Sequence, residues 1–315
     1  MTSFTYKWNL TDLDMIEKNG LKVFSCFSCG GGSTMGYKMS GFNVIGCNEI
    51  DPEMMTIYKS NHKPKYSFLE SIETFKLRED LPKELYNLDI LDGSPPCSSF
   101  SMAGEREKKW GIKKKFREGQ ASQVLDDLFF HYIDLAKKLR PKVVIAENVK
   151  GMLAGNAKGY VKQIINLFKV IGYDVQLFLL NGATMGLPQK RERVFFVANR
   201  MGFPKLKLGF NEKPIPFKNI FDGKSTKKKF HEKRYGDVLM KASEPSQTIV
   251  SANRYFYPKG YEIGVENIKL IGSFPLDYKF KSEKSAKYQI GMSVPPLMMH
   301  KISEQIYKQW FTNNV

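Results

Sequence analysis

The sequence predicts an α/β fold with a mostly parallel, open sheet, and three observations carry that prediction. Short apolar runs alternate with stretches of helical periodicity from Leu21 to Ala198. The first run, Leu21 to Phe27, ends on the glycine-rich turn Cys29-Gly30-Gly31-Gly32-Ser33. Two later runs end on reactive side chains, Cys97 and Glu147, and in parallel α/β sheets the carboxyl ends of strands face the ligand crevice.

Residues 1 to 20 are polar and carry no pattern. After the first turn a helix runs to about Gly41, with Ser33 or Thr34 as its cap. Phe42 to Cys47 is a second strand, which leads into Asn48-Glu49-Ile50-Asp51. A glycine-rich turn followed about twenty residues later by an acid is how doubly wound folds bind a ribose, so Glu49 is a cofactor candidate. The dinucleotide pattern G-x-G-x-x-G, counted from Gly30, would need glycine where Met35 stands, and no G-K-[ST] follows to make a P-loop. The turn therefore suits an adenosyl cofactor without a pyrophosphate, such as S-adenosylmethionine, or is simply a tight turn.

A helix begins at Pro52 and a short strand covers Tyr66 to Leu69. The next strand, Leu88 to Leu91, is stopped by Gly93 and Pro95-Pro96, which leaves Cys97 on a backbone held by two prolines. Placed there, Cys97 is either a nucleophile or a buried, inert thiol. Met102 to Ala121 is basic, glycine-punctuated and aperiodic, and reads as a long loop. Leu125, Leu128, Phe129, Tyr132, Ala136 and Leu139 recur at helical spacing up to Pro141. Lys142 to Ala146 is a buried strand, and Glu147 at its end is costly unless paired or used. A helix from about Tyr160 to Ile171 and a strand from Tyr173 to Leu180 precede Gln189-Lys190-Arg191-Glu192-Arg193, which enters the strand Val194 to Ala198. Such alternating charges form a solvated edge unless the arginines turn into the crevice, where they can bind an anion or a base edge.

At 315 residues and 42% hydrophobic, the chain can bury a full core and has room for a large domain with a smaller one. No run approaches the roughly 18 apolar residues of a membrane span, and the first residues lack a signal-peptide pattern, so a cytoplasmic location without membrane contact is expected. Cys26, Cys29, Cys47 and Cys97 are too few for a disulfide scaffold, and Cys26-Phe27-Ser28-Cys29 lacks the second pair that would complete a metal site, so no metal is expected. A net charge of +17 predicts a polyanionic partner, unless it is only a lysine-rich bias. The basic residues cluster, at Lys108, Lys109, Lys113, Lys114, Lys115 and Arg117 and again at Lys224, Lys227, Lys228, Lys229, Lys233 and Arg234.

Taken together and in order, these segments resemble the DNA cytosine-5 methyltransferase family. Phe27 to Gly32 (FSCGGG) resembles its cofactor motif, Pro95 to Cys97 its nucleophile motif, Glu147 to Val149 its base-contacting motif and Gln189 to Arg193 its arginine motif. Gly272 to Tyr278 and Gln289 to Val294 resemble the two closing motifs. The resemblance implies a Rossmann-like S-adenosylmethionine-dependent methyltransferase fold. Residues 1–199 plus 283–315 would form a discontinuous catalytic and cofactor-binding domain, and residues 200–282 a small basic target-recognition domain. A last helix from Val294 to about Trp310, with Ile302, Ile306 and Trp310 on its apolar face, would return beside the cofactor motif.

The same resemblance assigns roles. Cys97, Glu147, Arg191 and Arg193 would be catalytic: Cys97 adds to C6 of a flipped-out cytosine, Glu147 holds or protonates N3, Arg193 holds the O2 side and Arg191 supports the site. Phe27, Gly30, Gly32, Glu49, Ile50, Ser71, Ile72, Pro96, Leu128, Met292 and Ser293 would bind S-adenosyl-L-methionine. Lys227, Lys228, Lys229, Thr248 and Arg254 would contact DNA, with Thr248 on the backbone, and the Met102 to Ala121 loop would close over the flipped base. The family pattern is broken at Cys29, where glycine is usual, at Ser71, where aspartate is common, and at Met292, where asparagine is usual. The implied partners are double-stranded DNA and a cognate restriction endonuclease, with the enzyme itself a monomer. The chain lacks the long amino-terminal regulatory region of the animal maintenance enzymes, which favours a stand-alone bacterial or phage enzyme. Two other readings stay open. One is an RNA (tRNA) cytosine-5 methyltransferase of similar fold, against which stands the lack of a C-F-T tripeptide. The other is a catalytically inactive DNA-binding relative, against which stand Cys97, Glu147 and Arg193.

Overall fold

The computed structural model describes residues 4–96, 113–114, 123–124, 127–155, 157–221, 225–229, 237–250, 253–257 and 261–312, with backbone alone at 113–114, 123–124, 225–229 and Tyr261. Cys97 and most of the Met102 to Ala121 segment lie outside the described residues, as does Leu125.

In chain order the strands are β1 (Lys22–Cys26), β2 (Asn43–Glu49), β3 (Tyr66–Leu69), β4 (Ile90–Gly93), β5 (Lys113–Lys114), β6 (Gln123–Val124), β7 (Val143–Val149) and β8 (Asp174–Asn181). They continue with β9 (Gln189–Lys190), β10 (Glu192–Asn199), β11 (Ser225–Lys229), β12 (Asp237–Leu239), β13 (Ser246–Gln247), β14 (Arg254–Phe256) and β15 (Tyr261–Ile263). The helices are α1 (Gly32–Met39), α2 (Pro52–His62), α3 (Ile72–Phe75), α4 (Leu128–Leu139), α5 (Ala157–Val170), α6 (Val265–Ile271), α7 (Glu283–Met292) and α8 (Pro296–Ile306).

Seven strands make the central sheet in the order β3-β2-β1-β4-β7-β10-β8. All neighbours from β3 to β7 pair in parallel, and β10 is antiparallel to both β7 and β8. The fold is the mixed α/β, mostly parallel one that the sequence predicts. Its antiparallel end follows from the short link between β8 and β10, which leaves no room for a crossover helix. Helices cover both faces, so β1, β4 and β7 are buried along nearly their whole length rather than alternating buried and exposed. One face carries α3, α4 and α5 over Phe24, Leu91 and Val144. The other carries α1 and α8 over Val23, Ile90 and Ile145.

Two glycines have tertiary roles that local sequence does not show. Gly93 is the last residue of β4, as expected, and still pairs with Cys26 and Ala146, where a Cβ would sit 2.6 Å from the Tyr132 ring. That ring crosses the strand because its hydroxyl reaches the carbonyls of Leu91 and Ile145, both at 2.9 Å. At the start of α1 neither Ser33 nor Thr34 is the cap. Both lie within the helix, and the cap is Gly31 at φ +69°, where a Cβ would come 2.2 Å from His62 Nε2. By contrast α2 has an ordinary side-chain cap, with Asp51 accepting from the backbone N–H groups of Glu53 and Met54 and Pro52 in the first turn.

The last helix does return to α1. Gly36 meets Met299 so closely that a Cβ would lie 2.5 Å from the methionine Cβ, and Ile302, Ile306 and Trp310 are all buried. Residues 237–282 form no isolated unit among the described residues. Met240, Ile249, Tyr255, Ile268 and Phe274 share one core with Trp8, Met35, Met39 and Leu297. A four-stranded sheet, β11-β15-β14-β12, contributes Tyr255 and Ile263 to that core.

Two buried histidines tie this fold to pH. Burial pushes His300 down to about 4 and lowers His62 as well. In the unfolded chain a histidine takes up its proton near pH 6.5. The unfolded state therefore binds more protons below that value, so stability is fully present above about pH 6.5 and is lost as the pH falls toward 4, by about 3 kcal/mol for His300 alone. Urea denaturation across this range should show the decline, and His300→Gln, which keeps a partner for Ser40, should flatten it.

Candidate active site

The antiparallel register of β7 and β10 sets Phe195 opposite Glu147 and Arg193 opposite Val149. Side chains alternate along a strand, so Arg193 shares the face of Glu147 as its diagonal neighbour. The Arg193 Nε to Glu147 Oε1 distance is 2.9 Å, with the two side chains only 13% and 10% exposed. Burial lowers the Arg193 pKa from its ordinary value, and the carboxylate of Glu147 opposes that. A second Arg193 donor, Nη1, is held by the carbonyl of Glu192 at 2.8 Å. Among the described residues, Arg193 meets the Glu147 carboxylate through Oε1.

Asn148 fixes this pair against the proline turn. Its Nδ2 donates to the carbonyl of Pro95 at 2.9 Å, while its Oδ1 accepts from the backbone N–H of Val149 at 2.8 Å. The chain entering Cys97 is thus bonded to the residue beside Glu147. Sequence reading took Glu147 from this motif and passed over Asn148; its place next to an assigned acid was the only signal available.

Arg191 serves differently from Arg193. It is 1% exposed, and it donates to the carbonyls of Ile249 at 3.3 Å, Gly291 at 3.1 Å and Ser293 at 2.9 Å. Burial, reinforced by Arg193, pushes its pKa down to about 9, so it stays charged at neutral pH. Gln189 works in parallel: its Nε2 donates to the carbonyl of Ile271 at 3.0 Å, and its Oε1 accepts from the N–H of Ile249 at 3.1 Å. Both side chains tie the strand entering the site to the segment around Thr248, Arg191 adding the end of α7 and Gln189 the end of α6.

A cleft opens at the carboxyl ends of β1 and β4, where parallel sheets bind ligands. Phe27, Ser28, Cys29 and Gly32 line it from the turn, Asp92 and Ser94 from β4, and Met292 and Ser293 from α7. The buried hydroxyls of Ser28 and Ser293 have no hydrogen-bond partner of good geometry among the described residues, although the thiols of Cys47 and Cys29 lie beside them. The space between them is small, about 10 Å³, but orphaned hydroxyls and a carboxylate in its lining match in chemistry the polar, cationic part of a cofactor such as S-adenosylmethionine.

Of the expected cofactor residues, Phe27, Gly32, Met292 and Ser293 line this cleft. At Gly30 a Cβ would lie 3.1 Å from Gln289 and 3.2 Å from Ser293, a tight approach. The carboxylate of Glu49 is turned onto its own backbone, accepting from the N–H groups of Cys29 at 2.7 Å, Ile50 at 2.9 Å and Asp51 at 3.0 Å. Ser71 caps α3, while Ile72 and Leu128 are buried in the core at 2% and 1% exposure. Ile50 and Pro96 are half-buried.

Cys29 stands in the left-handed region at φ +43°. A side chain there costs about 1–2 kcal/mol, which explains why glycine suits the position. Cys29→Gly returns roughly 0.5–1 kcal/mol as unfolded-chain entropy, so a net stabilisation of about 0.5–1 kcal/mol is expected in thermal melts. An unchanged or lower melting temperature would show that the turn is not strained at this residue.

With this geometry in hand, comparison with known proteins is decisive. A family model described as C-5 cytosine-specific DNA methylase matches residues 21–259. The chain belongs to that family. It is 34% identical over 212 residues to the Type II methyltransferase M.NgoPII of Neisseria gonorrhoeae, covering 64% of this chain and 56% of the relative. It is 38% identical over 197 residues to M.FnuDI of Fusobacterium nucleatum, covering 62% of this chain and 51% of the relative. The chain thus spans about half the length of these relatives; M.HindV of Haemophilus influenzae, 29% identical, is matched over 87% of this chain and 92% of its own. A DNA modification methyltransferase encoded within a prophage of E. coli has the same fold, with a TM-score of 0.73 at 19% identity over 92% of this chain and 99% of its own. A Spodoptera frugiperda DNMT2 mutant follows at 0.69 and 18% identity over 91% of this chain and 100% of its own.

In this cytosine-5 methylase family member, the residues expected at DNA differ in what holds them. Thr248 is half-buried and donates its hydroxyl to the carbonyl of Lys190 at 2.6 Å. Arg254 directs its Nε and Nη2 at the carboxylate of Asp237, at 2.9 and 2.8 Å, rather than outward. Lys227, Lys228 and Lys229 fall in β11, where only the backbone is described.

Proposed function

We propose that this chain transfers the methyl group of S-adenosylmethionine to C5 of a flipped-out cytosine in a specific duplex DNA sequence, through a covalent adduct with Cys97. The observation that carries the proposal is the buried Glu147 and Arg193 pair, 2.9 Å apart, bonded through Asn148 to the turn that leads into Cys97. Cytosine C5 is a poor nucleophile, and addition of the Cys97 thiolate to C6 turns the ring into an enamine. Glu147, oriented by Arg193, would hold or protonate N3 and absorb the charge that develops there. When bound, the cofactor supplies an electrophilic methyl for C5. Loss of the C5 proton then lets Cys97 leave and restores the ring. C5 and C6 are inaccessible within a stacked duplex, so the base must be extruded.

Target recognition is assigned to residues 200–282, supported by the basic excess there and by the cross-links from Gln189 and Arg191 to Ile249, which join that region to the reacting groups. Pairing with a cognate restriction endonuclease is proposed on family grounds alone. Neutralising Lys227, Lys228 and Lys229 together should weaken binding to every DNA sequence and flatten its salt dependence by about 0.9 in log–log slope for each phosphate left without its lysine. A slope equal to the wild type would place the phosphate-binding lysines elsewhere. The whole reading is tested by tritiated-methyl transfer to duplex DNA, with tRNA alongside, followed by sequencing of the modified bases. Label in tRNA and not in DNA would make the chain an RNA methyltransferase.

A further inference from the structure

Asp92 is a buried carboxylate that the chemistry above does not use. It lies on β4 at 2% exposure and lines the cleft with Phe27, Cys29, Met292 and Ser293. Its Oδ2 accepts from the Ser25 hydroxyl at 2.8 Å and its Oδ1 from the Tyr37 hydroxyl at 3.2 Å. The ionisable groups that face it are Cys26 on β1, Tyr37 on α1, Tyr58 on α2, Tyr132 on α4 and Glu147 on β7. None is a cation, and among the described residues no Lys, Arg or His forms an ion pair with Asp92. Donated hydrogen bonds on both oxygens suit the ionised form, yet a buried carboxylate without a counter-charge is costly. A cationic ligand in the cleft supplies the missing charge, and an anionic phosphate would be repelled.

We propose that Asp92 reads the charge of the cofactor, holding the positively charged sulfonium of S-adenosylmethionine and releasing the uncharged thioether of S-adenosylhomocysteine. This rests on the S-adenosylmethionine reading above. The two molecules differ by one methyl group and one positive charge at sulfur, so an unpaired carboxylate in the same low-dielectric cleft separates them by Coulomb attraction alone. Methyl transfer abolishes that attraction, and product departs from a site that had favoured substrate.

Burial, helped by the charge of Glu147, pushes the Asp92 carboxyl up to about 7 against the pull of Ser25, Tyr37 and Ser33. A cation bound beside it favours the ionised form, so S-adenosylmethionine binding near neutral pH releases a proton and S-adenosylhomocysteine binding does not.

The test is calorimetric titration of both ligands, first on the wild-type protein at several pH values around 7 and in buffers of different ionisation enthalpy. Affinity for S-adenosylmethionine should rise with pH through this range with proton release, while that for S-adenosylhomocysteine stays flat. Asp92→Asn should then weaken S-adenosylmethionine roughly tenfold or more and S-adenosylhomocysteine by less than about threefold, the latter also reporting that the cleft is folded. Equal losses for both ligands, or the same pH dependence for both, would overturn the proposal. If the wild type binds neither ligand, the cofactor reading itself falls and takes this one with it.

Discussion

Duplex DNA carrying 5-fluorocytosine at the target should form a denaturant-stable adduct with the wild-type protein in the presence of cofactor, and none with Cys97→Ser. Fluorine at C5 cannot leave as a proton, so the last elimination is blocked and the enzyme stays on the base. Serine keeps the size of the side chain, but its hydroxyl is hardly ionised at neutral pH and is a far weaker nucleophile. Turnover on ordinary cytosine should fall by at least about four orders of magnitude. An adduct of equal yield with Cys97→Ser would remove Cys97 from the mechanism. Asn148 makes the prediction structural as well as chemical, because Asn148→Ala frees the Pro95 carbonyl and should slow adduct formation without abolishing it.

The second large effect separates chemistry from stability at Glu147. Glu147→Gln keeps an oxygen for Arg193 but loses both the charge and the ability to deliver a proton, so kcat should drop by about 10²–10⁴-fold, with a smaller loss of melting temperature than truncation of the pair causes because the hydrogen bond survives. Arg193→Ala leaves Glu147 buried at 10% exposure without its partner. Removing one member of such a buried pair costs about 3–5 kcal/mol, so this variant should be visibly destabilised as well as inactive. If Glu147→Gln is the less stable of the two while its kcat is intact, Glu147 is a structural acid and not a base-contacting one.

What could be read from the sequence was what depends on neighbours along the chain. Strand runs, the periodicity of α4 and the Asp51-Pro52 start of α2 are local, and all were placed within a few residues. What escaped depends on contacts between distant segments. Gly93 ends its strand as the sequence suggests, but the need for glycine there shows only once Tyr132 is seen lying over it, and at the cap position Gly31 His62 fills the space where a Cβ would go. Arg254 is a plausible base reader in isolation, but Asp237, on the neighbouring strand, occupies its fork. Asp92 drew no notice because an acid inside an apolar run reads as a mere interruption. Only the fold shows that its carboxyl meets Ser25 and Tyr37 in a cleft without a cation among the described residues.

The packing of α8 on α1 has a consequence for the order in which the molecule is made. Gly36 and Met299 touch across more than 260 positions of sequence, and the cleft needs Ser28 from near the start and Ser293 from near the end. During synthesis on the ribosome the early strands can pair as they emerge, but the face of the sheet beneath α8 stays open until residue 306 has cleared the exit tunnel. A nascent or prematurely terminated chain therefore carries the sequence around Cys97 without a finished cofactor cleft. Methylation competence should arise in one late step, when the final helix docks and closes both the core and the cleft.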